Sequence, residues 1–288
     1  MQRCHIAPYD EVSHRGLLRH VMIRHGFATG ETMVCLIANG SSLPDERSLC
    51  TELGKLEGVC SIVLNRNTRR DNVILGDTTR LLWGREQIQD VLLGNRFLIS
   101  ARSFYQVNPI QTERIYEKAV AYAGLTGQET VWDLYCGIGT ISLCMAGQAG
   151  QVLGVEVVPE AIADAKENAR LNGICNAHFT VGRAEAPKQW FQGDDSPGAG
   201  TADPFPPTLS FPDRIVVDPP RRGLDEAAIR LILNAAPARL VYVSCNPSTL
   251  ARDLALLGAG GYELSEYTPF DAFCHSGHVE TVALLEHK

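Results

Sequence analysis

Residues 131–140 read Val-Trp-Asp-Leu-Tyr-Cys-Gly-Ile-Gly-Thr, and a second apolar stretch that begins at Gln151 ends at Glu156. The apolar run, the two glycines and the pattern of residues 141–149 predict a strand, a tight loop and a helix. Because Gly137 and Gly139 lack a Cβ, the loop can turn sharply and let a ligand lie against backbone N–H groups. Glu156 follows about twenty residues after the glycines, which is the spacing of an acid that binds a ribose. The stretch therefore predicts a nucleoside-binding loop.

Two features of this loop argue against a dinucleotide. Ser142 stands where G-x-G-x-x-G requires its third glycine, and an acid, Asp133, precedes the loop. The pattern Asp-x-x-x-Gly-x-Gly with a downstream Glu resembles the S-adenosylmethionine loop of Rossmann-like methyltransferases. The alternative is an ordinary turn between a strand and a helix.

Length, composition and charge set the limits of the interpretation. The 288 residues suit two domains, and no apolar run of eighteen residues or signal-peptide pattern is present. These features predict a cytoplasmic protein without a membrane partner. Nine cysteines without C-x-x-C spacing predict reduced thiols and no metal site. The net charge is −7, but residues 1–102 carry +2 and residues 103–288 carry −9, so any contact with nucleic acid requires a local basic patch.

The first hundred residues predict a small α+β domain. We expect a helix over residues 45–56 and short strands over residues 17–23, 31–38, 59–65, 73–75, 80–83 and 97–100. The basic connection Arg66-Asn-Thr-Arg-Arg70 could hold phosphate, and a solvated turn is the alternative.

Residues 103–109, Ser-Phe-Tyr-Gln-Val-Asn-Pro, precede a predicted helix over residues 111–123. Their aromatic and amide side chains could stack on a base and read its edges, or they could form a packed domain junction. From residue 131 onward strands and helices alternate, which indicates a largely parallel sheet with helices on both faces. The domains are therefore 1–102 and 103–288. Residues 192–212 are rich in Gly, Pro and Asp and predict a mobile surface insertion without a catalytic role.

Polar motifs follow two further predicted strands. The strand of residues 214–217 ends in Asp218-Pro-Pro-Arg-Arg-Gly, and that of residues 240–243 ends in Ser-Cys245-Asn-Pro. Ligands bind outside the carboxyl ends of strands in an open α/β sheet, so the glycine loop, Glu156, Asp218 and Cys245 should share one edge. Asp-Pro-Pro resembles the Asp/Asn-Pro-Pro-aromatic site of amino-group methyltransferases, although Arg221 replaces the aromatic residue.

Cys245 is the predicted nucleophile. Carbon 5 of uracil is too weakly nucleophilic to take a methyl group directly, and a thiolate that adds to carbon 6 would activate it. We expect a lowered thiol pKa, with Arg221, Arg222 or a helix N-terminus as the cause. A base must then remove the proton from carbon 5. Glu280 directly precedes the last predicted strand, residues 281–285, which should run antiparallel so that its start reaches the same edge; His275 and His278 are alternative bases.

The chain from Ser103 onward resembles the RNA uracil-5-methyltransferase family, in particular its 23S ribosomal RNA members. The resemblance rests on six motifs in the family's order: Ser-Phe-Tyr-Gln-Val-Asn-Pro, Asp-Leu-Tyr-Cys-Gly-Ile-Gly-Thr, Gly-Val-Glu, Asp-Pro-Pro-Arg, Ser-Cys-Asn-Pro and His-Val-Glu. It implies a Rossmann-like class I methyltransferase sheet, S-adenosyl-L-methionine as cofactor and a flipped-out uridine as substrate.

The resemblance also assigns roles to individual residues. Cys245 is implied as nucleophile and Glu280 as base. The implied cofactor-binding residues are Gln106, Tyr135, Gly137, Gly139, Glu156 and Asp218. The implied substrate-binding residues are Phe104, Asn108 and Arg221.

Two departures from the family pattern are visible. Family members usually begin with an RNA-binding β-barrel and a four-cysteine iron–sulfur site, whereas Met1 falls just before the central domain. We therefore expect either a fragment or a short form, without an iron–sulfur cluster in this chain. Ala272 and Cys274 stand where relatives often carry Met and Pro.

The sequence thus predicts methyl transfer to carbon 5 of a uridine in structured RNA, with ribosomal RNA as the expected substrate and tRNA as the alternative. The other hypotheses are an RNA cytosine-5 or amino-group methyltransferase, and a truncated form that binds cofactor and RNA without turnover.

Overall fold

A computed structural model describes residues 2–192, 205 and 211–288, so most of the predicted insertion of residues 192–212 lies outside the described residues. The chain divides into two compact units, Met1–Tyr105 and Gln106–Lys288.

The first unit is built on a four-stranded sheet in the order β1-β2-β3-β4. Strands β2 and β3 are parallel, and the two outer pairs are antiparallel. Its elements are β1 Leu18–His25, β2 Thr32–Ala38, α1 Glu46–Leu53, β3 Val59–Arg66, β4 Thr78–Gly84, β5 Ile88–Leu92 and β6 Asn95–Ile99. Strands β5 and β6 form a separate hairpin.

The continuous apolar run in β2 is explained by burial on both faces of this sheet. Val34 and Leu36 lie in one core with Cys50 of α1, whereas Met33 and Ile37 lie in another core with the hairpin. Both faces of β2 therefore contribute to the stability of the unit.

The predicted strand of residues 73–75 is wrong, because this segment is irregular. The side-chain amide of Asn67 donates to the carbonyls of Val73 and Ile74 at 2.6 and 2.8 Å. Asn65 accepts from the Gly76 N–H at 2.7 Å and donates to its carbonyl at 3.0 Å. These backbone groups bind side chains where a strand would have bound a neighbouring strand.

The second unit confirms the predicted α/β fold. Its seven-stranded sheet has the order β12-β13-β11-β10-β7-β8-β9, and the strands from β11 to β9 are parallel. The strands are β7 Thr130–Leu134, β8 Gln151–Glu156, β9 Ala177–Val181, β10 Arg214–Val217, β11 Arg239–Ser244, β12 Tyr262–Phe270 and β13 Glu280–His287. The helices are α2 Pro109–Ala123, α3 Thr140–Ala146, α4 Pro159–Leu171, α5 Pro187–Gln192, α6 Glu226–Ala235 and α7 Pro247–Ala259.

Alternate residues of the central strands pack into different layers, which is why these strands are apolar throughout. Trp132 and Leu134 belong to a core that includes residues of α6 and α7, such as Ile232 and Leu250. Val131 is also fully buried on the opposite side of β7. The sheet is therefore covered on both faces.

Strand β13 runs antiparallel to β11, as predicted, with Thr281 opposite Ser244. The start of β13 therefore reaches the edge formed by the carboxyl ends of the parallel strands. No helix in the described part of the chain combines the length and apolar character of a membrane span.

Candidate active site

The loop after β7 is held by backbone geometry. Tyr135, Gly137 and Gly139 have φ values of 74°, 55° and 82°, and this left-handed region is uncommon for a residue such as Tyr135. The N–H groups of Tyr135 and Cys136 both donate to the Val155 carbonyl, at 3.0 and 3.1 Å. The loop is thereby fixed to the neighbouring strand β8.

The two glycines serve different purposes. A Cβ at Gly139 would lie 3.0 Å from the Phe179 ring, whereas a Cβ at Gly137 would meet nothing within 4 Å. Gly139 therefore permits close packing as well as the backbone turn, and Gly137 faces open space where a ligand can approach.

Glu156 ends β8 and turns its carboxylate toward the glycine loop. It accepts hydrogen bonds from the N–H groups of Val157 at 2.8 Å, Val158 at 3.1 Å and Gly137 at 3.3 Å. Val157 and Val158 themselves are exposed. The site thus combines an anchored carboxylate with an accessible apolar surface beside it.

Asp133 is buried beneath the same loop. Its Oδ2 accepts a hydrogen bond from Ser142 at 2.5 Å, while its Oδ1 is buried without a partner among the described residues. Burial raises the pKa of Asp133 to about 7, and the charge of Glu156 acts in the same direction. Ser142, which replaces the expected third glycine, therefore has a structural reason to be present.

Asp218, Cys245 and Glu280 form the other half of the edge. Ser244 pairs with Thr281 at the end of the β11–β13 ladder, so Cys245 and Glu280, the next residues along, lie at the same edge of the sheet. Asp218 follows β10, which lies between β11 and β7. We call these three residues the thiol half, and residues 133–139 with Glu156 the glycine-loop half.

Burial and two carboxyl groups determine the pKa of the thiol. Burial raises the pKa of Cys245, and the charges of Glu280 and Asp218 raise it further, while Arg221 lowers it. The expectation of a lowered thiol pKa is therefore wrong for the free protein. Arg221 acts in the predicted direction but does not outweigh burial and two carboxylates.

The two carboxyl groups are perturbed as well. Burial, reinforced by the charges of Glu280 and Asp133, raises the pKa of Asp218 to about 8. Burial also raises the pKa of Glu280, and Arg221 again opposes the shift. Arg221 is thus the cation that favours the charged forms of both Cys245 and Glu280.

The alternative bases lie on the loop before β13 and are exposed. His278 places its Nε2 3.3 Å from an Nη2 of Arg221. A guanidinium can only donate, so this ring nitrogen accepts. His275 adopts a left-handed φ of 64°.

The remaining predicted residues have varied environments. Asn108 caps α2 by accepting from the Gln111 N–H at 3.2 Å, and its amide donates to the Ala272 carbonyl at 3.1 Å. The half-buried side chain of Gln106 makes no hydrogen bond within the described ranges. Phe104 belongs to the first unit and is 71% exposed.

Sequence reasoning missed the polar residues that support the loop after β10. Asn246, Thr249, Arg252 and Asp253 bind its backbone. The sequence shows an amide residue, Asn246, directly after Cys245, but its hydrogen-bond partner depends on the tertiary fold.

Comparison with known proteins gives consistent similarities. The profile of a family described as tRNA (Uracil-5-)-methyltransferase matches residues 76–288. A relative from Halalkalibacterium halodurans, named an uncharacterized RNA methyltransferase, is 53% identical over 284 residues, 98% of this chain and 59% of the relative. Another from Enterococcus faecalis with the same name is 48% identical, over 99% of this chain and 60% of the relative. The chain spans about six tenths of the length of these relatives.

Two solved structures have folds similar to that of this chain. The Pyrococcus abyssi tRNA (uracil-54, C5)-methyltransferase in complex with S-adenosyl-L-homocysteine has a TM-score of 0.79 and 29% identity, over 99% of this chain and 64% of that chain. The Methanocaldococcus jannaschii tRNA m1G37 methyltransferase has a TM-score of 0.53 and 15% identity, over 97% of this chain and 78% of that chain, which shows a shared fold alone.

Proposed function

Since the chain belongs to the tRNA (Uracil-5-)-methyltransferase family, we propose that it transfers a methyl group from S-adenosyl-L-methionine to carbon 5 of a uridine in structured RNA. The observation that carries the proposal is the antiparallel pairing of β11 with β13, in which Ser244 lies opposite Thr281, so that the neighbouring residues Cys245 and Glu280 lie at the same edge of the sheet. A nucleophile and a base side by side are what addition to carbon 6 and proton removal at carbon 5 require.

The glycine-loop half has the donor and acceptor groups that S-adenosyl-L-methionine needs. Glu156 would accept from the ribose hydroxyls. The open space at Gly137 leaves room for close approach. Gln106, Tyr135, Gly139 and Asp218 are the further cofactor contacts that we propose. When bound, the cofactor supplies an electrophilic methyl group.

On the protein side, Cys245 acts first. Its thiolate sulfur forms a bond to carbon 6 of uracil, and the electron pair of the carbon 5–carbon 6 double bond makes carbon 5 nucleophilic. After carbon 5 has gained the methyl group, Glu280 removes its remaining proton. The double bond then re-forms as the carbon 6–sulfur bond breaks, which releases Cys245.

The substrate RNA is bound through several groups. The charge of Arg221 acts on both Cys245 and Glu280, and we propose that Arg221, Phe104 and Asn108 contact the RNA. The +2 charge of residues 1–102 favours a phosphate backbone at the first unit. We propose a flipped-out uridine, because base flipping costs least where a loop is already unstacked.

Ribosomal RNA is the substrate that we propose first, on the resemblance to 23S ribosomal RNA enzymes. Transfer RNA is the second candidate, because the P. abyssi structure with the same architecture is a tRNA (uracil-54, C5)-methyltransferase. We also propose a cytoplasmic location, which follows from an RNA substrate.

The test is an assay with labelled S-adenosyl-L-methionine on two transcripts, a 23S ribosomal RNA fragment and a tRNA. Nucleoside mass spectrometry should detect 5-methyluridine in one of them. 5-Methylcytidine or a methylated amino group would overturn the uracil-5 assignment. Cofactor binding without any methyl transfer to either RNA would instead favour a binding form.

A further inference from the structure

The loop after β10 is held by side chains from the start of α7. The Arg221 carbonyl accepts two hydrogen bonds, one from the Asn246 amide at 3.1 Å and one from the Thr249 hydroxyl at 3.2 Å. Asn246 also caps α7, because its Oδ1 accepts from the Ser248 N–H at 3.1 Å. The turn that follows Cys245 is therefore tied directly to the loop that carries Arg221.

Arg252 extends this connection by one helical turn. Its Nη2 donates to the carbonyls of Arg222 at 2.9 Å and Leu224 at 3.0 Å. The same guanidinium binds the carboxylate of Asp253 at 2.7 Å. Arg252 therefore joins two carbonyls of the loop to a carboxylate on its own helix.

Asp253 completes the connection from a fully buried position. Its Oδ2 accepts from the Leu224 N–H at 2.8 Å and from the Tyr242 hydroxyl at 2.7 Å. Gly223 has a φ of 75°, and a Cβ there would lie 2.5 Å from Asp253 Oδ2. Only glycine lets the loop approach the helix so closely. The backbone of residues 221–224 thus has four fixed points on α7.

What this loop carries is the Arg221 guanidinium. The guanidinium contacts His278 at 3.3 Å, and its charge lowers the pKa of both Cys245 and Glu280. A long arginine side chain has considerable rotamer freedom, so its charge is best placed when its own backbone is rigid.

We propose that Asn246, Thr249, Arg252 and Asp253 form a clamp that positions Arg221 beside Cys245 and Glu280. Thr249 and Arg252 are positioning residues, since they act through the loop and not on the substrate. The inference rests on the proposed function for the meaning of the reactive pair, but the clamp can be tested without RNA or cofactor.

The test compares conservative and disruptive variants at the two positions. Thr249→Val and Arg252→Gln remove the bonds to the loop, whereas Thr249→Ser retains the hydroxyl and Arg252→Lys retains a cationic donor. With Arg221 less well placed, the thiol pKa rises further, so alkylation of Cys245 by iodoacetamide at pH 8 should slow about threefold in the disruptive variants. Peptide mass spectrometry follows Cys245, with the exposed Cys175 as an internal reference.

The methylation assay gives a second measurement. In Thr249→Val we expect kcat to fall about tenfold, with KM for the cofactor unchanged and the pH profile displaced upward. Thr249→Ser should restore the wild-type kcat and the wild-type pH profile. Ser248→Ala is the matched control, because Ser248 lies on the same helical turn and its hydroxyl has no hydrogen-bond partner in the described part of the chain.

A double-mutant cycle separates positioning from stability. Arg221→Gln should slow Cys245 alkylation by itself, and adding Thr249→Val should have little further effect, because both act through one cation. Fully additive effects, or variants that change only the melting temperature, would overturn the clamp. A wild-type protein that methylates no uridine would overturn the proposed function, whereas the alkylation results would still decide the clamp.

Discussion

The two halves of the sheet edge hold the carboxylates Glu156 and Glu280 in different ways. In the glycine-loop half, Glu156 accepts three backbone N–H groups. In the thiol half, burial raises the pKa of all three groups, the charge of Glu280 raises that of Asp218 further, and Arg221 opposes the shifts of Cys245 and Glu280. The first half is organised before any ligand binds. In the second half the charged forms of the buried groups are destabilised, and protonation or a nearby positive charge would remove this cost.

This contrast fits a division of labour. A binding site benefits from groups that are already oriented, since less ordering is required when the ligand arrives. A reactive site requires groups whose protonation states can change during the reaction, and buried carboxyl groups beside a thiol have that property.

The largest effects are expected in the thiol half. Cys245→Ala should reduce methylation by at least about 10⁴-fold, because it removes the sulfur that we propose bonds to carbon 6. Glu280→Gln should permit addition and methyl transfer but block proton removal, so methylated RNA should accumulate covalently bound to the protein. A denaturing gel with labelled RNA, together with intact-protein mass spectrometry, detects the adduct.

A 5-fluorouridine RNA provides the control for this experiment, since fluorine cannot leave as a cation and the wild-type protein should be trapped. Normal turnover by Glu280→Gln would assign the base to His275, His278 or water. An adduct that persists in Cys245→Ala would contradict the nucleophile assignment.

The next largest effect concerns the glycine-loop half. Glu156→Ala should weaken S-adenosyl-L-methionine binding by about 1.5–3 kcal/mol, the range for hydrogen bonds to a charged group. Calorimetry measures this difference. Glu167→Ala is the matched control on the adjacent helix α4, where an exposed pair with Arg170 should contribute nothing to binding. Equal affinities of Glu156→Ala and wild type for S-adenosyl-L-methionine would contradict the proposal that the glycine-loop half binds the cofactor.

A smaller effect is expected in the pH dependence of stability, which tests whether the charged form of Asp218 is destabilised in the folded protein. The folded pKa of Asp218 is raised to about 8 from 3.8, so the folded state holds this proton more tightly than the unfolded state. Its contribution to stability is therefore present at low pH and is lost as pH rises toward 8, with a slope of at most about 1.4 kcal/mol per pH unit.

Asp218→Asn removes this titration. Relative to wild type, its free energy of unfolding from urea titrations should improve as pH rises from 5 to 8. Glu156→Gln should show no such improvement, because it loses a carboxylate that accepts three N–H bonds. If the difference in the free energy of unfolding between Asp218→Asn and wild type stayed constant across this range, the pKa of Asp218 would not be raised in the folded protein.

Much of the edge could be predicted because it depends on strand order and direction. The glycine loop, Glu156 and Cys245 follow parallel strands, and an antiparallel last strand was enough to bring Glu280 to the same edge. The thiol pKa could not be predicted in this way. It depends on burial and on the combined charges of Glu280, Asp218 and Arg221, which only the folded chain brings together.

The same limit applies to polar side chains that bind backbone. Asn67 removes residues 73–75 from strand pairing, and Arg252 holds carbonyls that lie about thirty residues away in sequence. Ser142 seemed only a departure from a glycine motif, yet it binds the buried Asp133. Local sequence patterns contain no signal for such partners.

The smallest effect lies outside both halves, at the basic connection of the first unit. The Arg69 Nε binds Asp71 at 2.9 Å, so its charge is already paired. Arg66 and Arg70 are exposed, and Arg70 lines a cleft of about 370 Å³ with His14 and His20. If this segment contacts phosphate, Arg66 and Arg70 should contribute more to RNA binding than Arg69.

This order can be tested by changing each arginine to Gln and measuring RNA affinity between about 50 and 200 mM salt. Over this range the affinity of a protein that contacts phosphates falls steeply. The slope of log affinity against log salt should flatten by about 0.7–0.9 for Arg66→Gln or Arg70→Gln, because a phosphate that no arginine neutralises keeps its counterion. Arg69→Gln should change it least, because Asp71 already balances that charge. The triple variant should still bind S-adenosyl-L-methionine normally, which would separate RNA affinity in the first unit from the chemistry of the sheet edge. Unchanged slopes in all three variants would mean that the segment is a solvated turn.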